Sequence, residues 1–188
     1  EFQYLSSYHY SVQIKTDLEH DLPNIVGSSV HLGKTLFNLV SNASDAIPKG
    51  GVLTIRTANQ YLDKPIQGYD EVREGDYVVL SVSDTGEGIP EADLKRIFEP
   101  FYTKKVMGRS GTGLGLAVVW GTVKDEHGYI NVQSEEGKGS TFTLYFPVTR
   151  EEITAKHEAV SLSEYIGKGE SILIVDDVQG QRDLAVEM

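Results

Sequence analysis

The chain has 188 residues, and 17 Lys plus Arg against 28 Asp plus Glu give a net charge of −11, which argues against nucleic acid as a partner. A balance of 39% hydrophobic and 24% charged residues can fill a core and excludes disorder throughout, and the length suits roughly one domain. The absence of Cys excludes a disulfide framework, a thiolate metal site and a Cys nucleophile, and it fits a reducing compartment.

In chain order, Tyr8, Tyr10, Val12, Ile14 and Thr16 alternate with polar neighbours, the period of a half-buried strand. A turn-rich stretch through Pro23 and Gly27 ends it. From Ser28, read as an N-cap, Val30, Leu32, Leu36, Phe37, Leu39, Val40, Ala43, Ala46 and Ile47 recur at helical spacing until Pro48-Lys49-Gly50-Gly51 stops the run. Residues 52–57 and 77–82 read as strands, separated by a polar loop that contains Pro65 and Gly68. A short helix is expected over 91–98, after Pro90, and a second long one over 114–126, with Gly128 placed to end it. Residues 129–133 and 141–146 complete the strands, joined by the turn Glu136-Gly137-Lys138-Gly139.

This mixture predicts an α+β two-layer sandwich over residues 1–148: a mixed, mainly antiparallel sheet with helices packed on one face. Residues 149–170 read as a linker, and Ser171-Ile172-Leu173-Ile174-Val175-Asp176-Asp177 as a buried-type strand that ends in two acids. From residue 150 onward four bases face nine acids, so the tail is disproportionately acidic. No apolar run approaches the ~20 residues that cross a bilayer. The opening Glu1-Phe2-Gln3-Tyr4 lacks both regions of a signal peptide. The expected location is the cytoplasm, for a piece of a longer parent that other segments could tether to a membrane.

Four groups of residues carry chemistry. Asn38 and Asn42 lie four apart on the first long helix, and Asp45 falls one turn further on, so the three form a polar strip. A buried unpaired amide costs ~1–3 kcal/mol, so these amides need a polar neighbour or solvent. An Asn oxygen is a hard ligand that suits Mg²⁺. Asn42-Ala43-Ser44 also matches a glycosylation sequon, read as a chance match in a helix without a secretory signal. Asp84-Thr85-Gly86-Glu87-Gly88-Ile89-Pro90 leaves the strand at 77–82. A carboxylate there can accept from a ligand amine, with adenine fitting, while two glycines let a ring approach; a plain Asp-Gly turn is the alternative.

Gly111-Thr112-Gly113-Leu114-Gly115-Leu116 opens the last long helix, where backbone N–H groups and the helix N-terminus can cradle phosphate. Its spacing matches neither the P-loop nor the dinucleotide fingerprint. Between these motifs, residues 95–109 carry five bases (Lys95, Arg96, Lys104, Lys105 and Arg109) against Glu99 alone, a reversal of sign that suits a lid over polyphosphate.

The order of Asn38/Asn42, Asp84-x-Gly86-x-Gly88, Phe98-x-x-Phe101 and Gly111-x-Gly113-x-Gly115 resembles the N, G1, F and G2 boxes of the GHKL ATP-binding fold. The similarity is greatest to the catalytic domain of bacterial sensor histidine kinases, over roughly residues 8–148. Gly137-Lys138-Gly139-Ser140-Thr141-Phe142, followed by Pro147, is similar to the last hairpin of such domains. The resemblance implies that Asn42 coordinates Mg²⁺, that Asn38 places the phosphates, and that Asp84 binds the adenine amine. It implies that Gly86 and Gly88 shape the purine pocket, that Lys105 reaches the terminal phosphate beside Tyr102 and Thr103, and that Gly113, Leu114 and Gly115 hold the phosphate chain. Asn38, Asn42 and Lys105 are thereby the implied catalytic residues, and Ala46, Ile89, Gly111, Thr112, Leu116 and Thr141 join the implied ATP site. Asp45 stands where many relatives carry Lys or Arg, and orienting a water is the role it can take.

The implied activity is transfer of the γ-phosphoryl group of Mg·ATP to a histidine on a separate dimerisation domain, in two-component signalling. His9, His20, His31, His127 and His157 match no acceptor-helix motif. Residues 171–177 resemble the first strand and acidic pair of a receiver domain, which makes a receiver or response regulator the second implied partner and the parent a hybrid kinase. Two rivals remain: an ATP-hydrolysing clamp like gyrase B, Hsp90 or MutL, which uses a Glu where Asn38 stands, and a non-enzymatic module that nucleotide merely reshapes.

Overall fold

A computed structural model of the protein describes residues 12–48, 50–103 and 112–150. Tyr8, Tyr10, Lys49, Lys104, Lys105, Arg109, Gly111 and everything expected beyond residue 150 lie outside the described residues.

Strand β1 (Val12–Leu18) leads through helix α1 (Ser29–Asp45) to β2 (Gly51–Leu62). Two short strands, β3 (Ile66–Gln67) and β4 (Glu71–Val72), precede β5 (Gly75–Asp84). Helices α2 (Glu91–Leu94) and α3 (Gly115–Asp125) follow, then β6 (Tyr129–Glu135) and β7 (Gly139–Pro147). The main sheet has the order β1, β2, β5, β7, β6. β1 runs parallel to β2, with α1 as the crossover, and the other pairings are antiparallel, so the α+β sandwich with a mixed, mainly antiparallel sheet is the observed fold.

The register explains the core. Ile55 lies opposite Val82, Val82 opposite Phe142 and Phe142 opposite Val132, so one row of inward side chains runs across the sheet, with Leu80, Leu144 and Ile130 in the next. On that row pack Leu39, Val40, Ala43 and Ile47 from the α1 region, with Val119 and Val123 of α3. Fully burying each such aliphatic side chain stabilises the fold by about 1.5–3 kcal/mol. The alternate residues form a second, smaller cluster on the outer face: Leu62, Val72, Tyr77, Val79 and Tyr145, with Tyr77 edge-on to both Tyr129 and Tyr145.

Local chemistry sets the helix ends. Ser28 caps α1, its Oγ accepting from the His31 N–H at 3.4 Å, while Glu126 Oε1 accepts from the Ser28 N–H at 3.0 Å. The C-terminus of α3 closes with paired bonds, from the His127 N–H to the Lys124 carbonyl and from the Gly128 N–H to the Val123 carbonyl.

Several elements differ from the sequence reading. The left-handed residue that ends α3 is His127, at φ 55°, and Gly128 is needed instead because a Cβ there would press on the Tyr145 carbonyl at 2.8 Å. The helix expected over 91–98 is α-helical only as Glu91–Leu94 and continues as tighter turns, with Arg96 N–H to the Asp93 carbonyl and Glu99 N–H to the Arg96 carbonyl. Pro100 disfavours helical backbone at Glu99. β2 runs on to Leu62, because its ladder with β5 continues to Leu62 opposite Gly75. The polar loop contains the β3–β4 hairpin. In β1 only Val12 packs against the core, and Ile14 is 40% exposed, since the strand forms the sheet edge.

Candidate functional site

The C-terminal half of α1 and the N-terminus of α3 meet side by side. Asn38 and Asn42 are half-buried, and a Cβ placed on Gly115 would lie 3.7 Å from Asn38 Oδ1 and 3.7 Å from Asn42 Nδ2. The two amides therefore border the first turn of α3, which carries no side-chain cap at Leu114. Orphan N–H groups and a positive helix end beside two amides make a place for an anion. Thr112 and Leu114 are exposed at this end, and Gly113 and Leu116 are partly buried. Asp45 and Ala46 complete the α1 side.

The loop after β5 forms the opposite wall. Asp84 is 6% exposed, and its Oδ1 accepts from the Gly86 N–H at 2.8 Å. Burial raises its pKa above the usual carboxylate range, and backbone bonds from Gly86 and Ser140 offset part of that rise. The glycines are sterically required: a Cβ on Gly86 would collide with the Ala46 carbonyl, and Gly88 combines φ 70° with a collision against the Glu135 carbonyl. Glu87 N–H bonds to the Ala46 carbonyl at 2.9 Å, which fixes this loop to the end of α1. The hairpin of β6 and β7 braces it from the other side, with Ile89 N–H to Ser134 Oγ at 2.7 Å and Gly137 N–H to the Glu87 carbonyl at 2.7 Å. Thr141 sits on β7 with its Oγ1 2.8 Å from Ser83 Oγ, at the Asp84 end of the sheet.

The segment after α2 closes on the start of α3. Ile97 and Phe98 are buried, while Phe101 is 74% exposed and left-handed at φ 66°. Phe101 N–H donates to the Gly113 carbonyl at 3.0 Å, which ties residue 101 to the turn that leads into α3. Gly113, at φ 68°, leaves no room for a Cβ against the Phe101 backbone. Tyr102 OH donates to Asp93 Oδ1 at 2.8 Å, and the Arg96 guanidinium lies 4.4 Å over its ring. Thr103 is exposed beside it. Lys105 and Gly111 are outside the described residues.

The implied site residues within the described segments thus gather at one end of the sandwich: Asn38, Asn42, Asp45 and Ala46 from α1, Asp84 to Ile89 after β5, and Thr112 to Leu116 at α3. Sequence reasoning missed Asp93, whose hold on Tyr102 spans a turn, and Ser134, whose hydroxyl supports Ile89. Neither sits in a motif, and only the fold brings them to their partners. Among the described residues no three His, Asp or Glu side chains converge as a metal site.

The profile of the histidine kinase-, DNA gyrase B- and HSP90-like ATPase family matches residues 27–150, and the chain belongs to that family of ATP-binding domains. The sensor kinase CckA of Brucella abortus (strain 2308) is 38% identical over 179 residues, which is 91% of this chain and 19% of that protein. Among solved structures, the catalytic domain of histidine kinase ThkA superposes with a TM-score of 0.61 at 26% identity, over 79% of this chain and 86% of that one. Full-length ShkA in complex with AMPPNP gives 0.57 at 28% identity, over 73% of this chain and 26% of that one. The chain therefore spans about a fifth of the length of the Brucella kinase it matches.

Proposed function

We propose that the chain is the catalytic domain of a sensor histidine kinase, which binds ATP with Mg²⁺ and delivers the γ-phosphoryl group to a histidine on a separate dimerisation domain. The observation that carries this reading is the apposition of Asn38 and Asn42 to the uncapped first turn of α3, across from the buried Asp84. Asp84 would accept from the adenine amine, and Gly86 and Gly88 would shape the purine pocket by letting its loop pack on the Ala46 and Glu135 backbones rather than by clearing space for the ring. Backbone N–H groups of Gly113 to Gly115 and the helix end would hold the phosphates, with the Asn42 oxygen as the protein ligand to Mg²⁺ and Lys105 at the terminal phosphate. Tyr102, Thr103, Ala46, Ile89, Thr112, Leu116 and Thr141 would line the rest of that site, and the family resemblance adds Gly111, which lies outside the described residues. Mg²⁺ would neutralise charge on the phosphates, and the residues would position the transfer. Asn38 carries no titratable group to activate water, which favours transfer over hydrolysis.

We read residues 149–170 as a linker and 171–188 as the start of a receiver domain, on the strength of Ile172-Leu173-Ile174-Val175-Asp176-Asp177. A receiver or response regulator is then the downstream partner, and the cytoplasm the working compartment. The test is calorimetric titration with a non-hydrolysable ATP analogue, with and without Mg²⁺. Wild type is expected to bind in a Mg²⁺-dependent way, Asn42→Ala to lose that dependence, and Asp84→Asn to lose most affinity. Mg²⁺-independent binding, or full affinity in Asp84→Asn, would overturn the assignment.

A further inference from the structure

The connection between β2 and β5 does more than join neighbouring strands. On the outer face of the sheet, Ile66 and Val72 pack with Tyr77, Val79 and Tyr145. The chain then turns around the free edge of β6. Asp70 N–H donates to the Ile130 carbonyl at 3.2 Å, and the Asp70 carboxylate accepts from the Ile130 N–H at 2.9 Å and from Lys124 Nζ. Tyr69 N–H donates to Asn131 Oδ1 at 3.2 Å, and a Cβ on Gly68 would displace the Asn131 amide that accepts this bond. Residues 62–75 are therefore a strap that leaves and rejoins the sheet on its outer face, where Leu62, Ile66 and Val72 pack, and whose tip at 68–70 reaches around the β6 edge.

On the helix face the strap delivers one side chain, Tyr69. Its ring stands edge-on to Phe98 at 4.8 Å and to Trp120 at 5.6 Å, while Phe98 and Trp120 lie 5.2 Å apart. Its hydroxyl donates to the Lys95 carbonyl at 3.4 Å. Lys124, bound to Asp70, also lies 4.3 Å over Trp120. Phe98 is three residues before Phe101, whose N–H is bonded to Gly113, and Gly113 is two residues before Gly115, which borders Asn38 and Asn42. A continuous path of contacts thus runs from the strap to the phosphate end of the site.

We propose that Tyr69 is a positioning residue for nucleotide binding: wedged against Phe98 and Trp120, it sets where the 98–103 segment meets the first turn of α3. This rests on the nucleotide-binding reading above. Tyr69 contacts Phe98, Trp120 and the Lys95 carbonyl, none of them assigned to the nucleotide, so its effect would be transmitted through these partners. A ring at position 69 is required, and its hydroxyl is secondary.

Trp120 is the chain's single Trp, so its fluorescence reports the strap without any ligand. In the 188-residue chain, acrylamide quenching of Trp120, the urea midpoint and the calorimetric affinity for Mg·AMPPNP would be measured together. Tyr69→Leu is expected to expose Trp120 to quencher and to weaken AMPPNP roughly 3- to 10-fold, the scale of one lost aromatic pair. Tyr69→Phe should stay within about twofold of wild type. Tyr69→Met, whose unbranched and adaptable chain fills irregular gaps better, makes the same test should the Leu variant not fold. Val72→Ala, which thins only the outer-face cluster, should lower the urea midpoint and leave affinity intact. Unchanged affinity in Tyr69→Leu beside an exposed Trp120, or equal weakening in Val72→Ala, would overturn the positioning role. Failure of wild type itself to bind AMPPNP would overturn the functional reading, a result separable from the other two.

Discussion

Asp84 opposes stability at the position where the proposed adenine contact falls. Its carboxyl is buried, and its pKa is raised chiefly by desolvation. A raised folded-state pKa means that the folded chain holds the proton more tightly than the unfolded chain does. Stability should therefore fall as pH rises from the ordinary carboxylate pKa through the raised one, and then level off. Urea unfolding at a series of pH values upward from the ordinary carboxylate pKa should show that decline in wild type and a flatter profile in Asp84→Asn. Nucleotide affinity should move the other way, weakening on acidification through the same window as the acceptor is protonated. Asn38, Asn42 and Asp84 were legible in the sequence because each stands in a motif with a chemical reason for its residue types. Tyr69 and Asp93 were not, since a tyrosine in a polar loop and an acid in a short helix carry no signal until the fold supplies Phe98, Trp120 and Tyr102.

At the level of elements, the sequence located nearly every helix and strand of the main sheet but misjudged their ends. Apolar spacing marks where a helix must face the core, whereas the end depends on backbone partners. The close of α3 illustrates this: Gly128 reads as the terminator, yet His127 takes the left-handed position and Gly128 makes the close approach to Tyr145. A side chain in left-handed backbone costs about 1–2 kcal/mol relative to glycine. His127→Gly should therefore stabilise the fold by about 1 kcal/mol, read as a higher urea midpoint with an unchanged slope. The β3–β4 hairpin escaped notice because two-residue strands have no periodicity to read. β2 ran past its apolar core because Asn59 and Gln60 pair with β5 through backbone, which any residue type can do.

Across the molecule, α1 and α3 are tied at both ends. Glu126 beyond α3 holds the Ser28 N–H at the start of α1, and the first turn of α3 borders Asn38 and Asn42 towards the end of α1. The site is thus fixed to a braced helix pair within residues 12–150. The last described segment is also secured, with Val148 N–H to the Asp76 carbonyl and Thr149 N–H to the Asn24 carbonyl. A chain that ends at Arg150 should accordingly keep the Mg·AMPPNP affinity of the 188-residue chain within about twofold, a calorimetric comparison that a tenfold loss would refute.

The strap around β6 has a consequence for self-association. An exposed strand edge is a template on which another chain can add, and natural sheets blunt such edges. Here Asp70 consumes both the N–H and the carbonyl of Ile130, and Tyr69 and Lys124 crowd the same margin. Growth of the sheet by recruitment of foreign strands is barred on that side. Within the described residues the β1 margin is thereby the one edge of the five-stranded sheet that the strap does not cover.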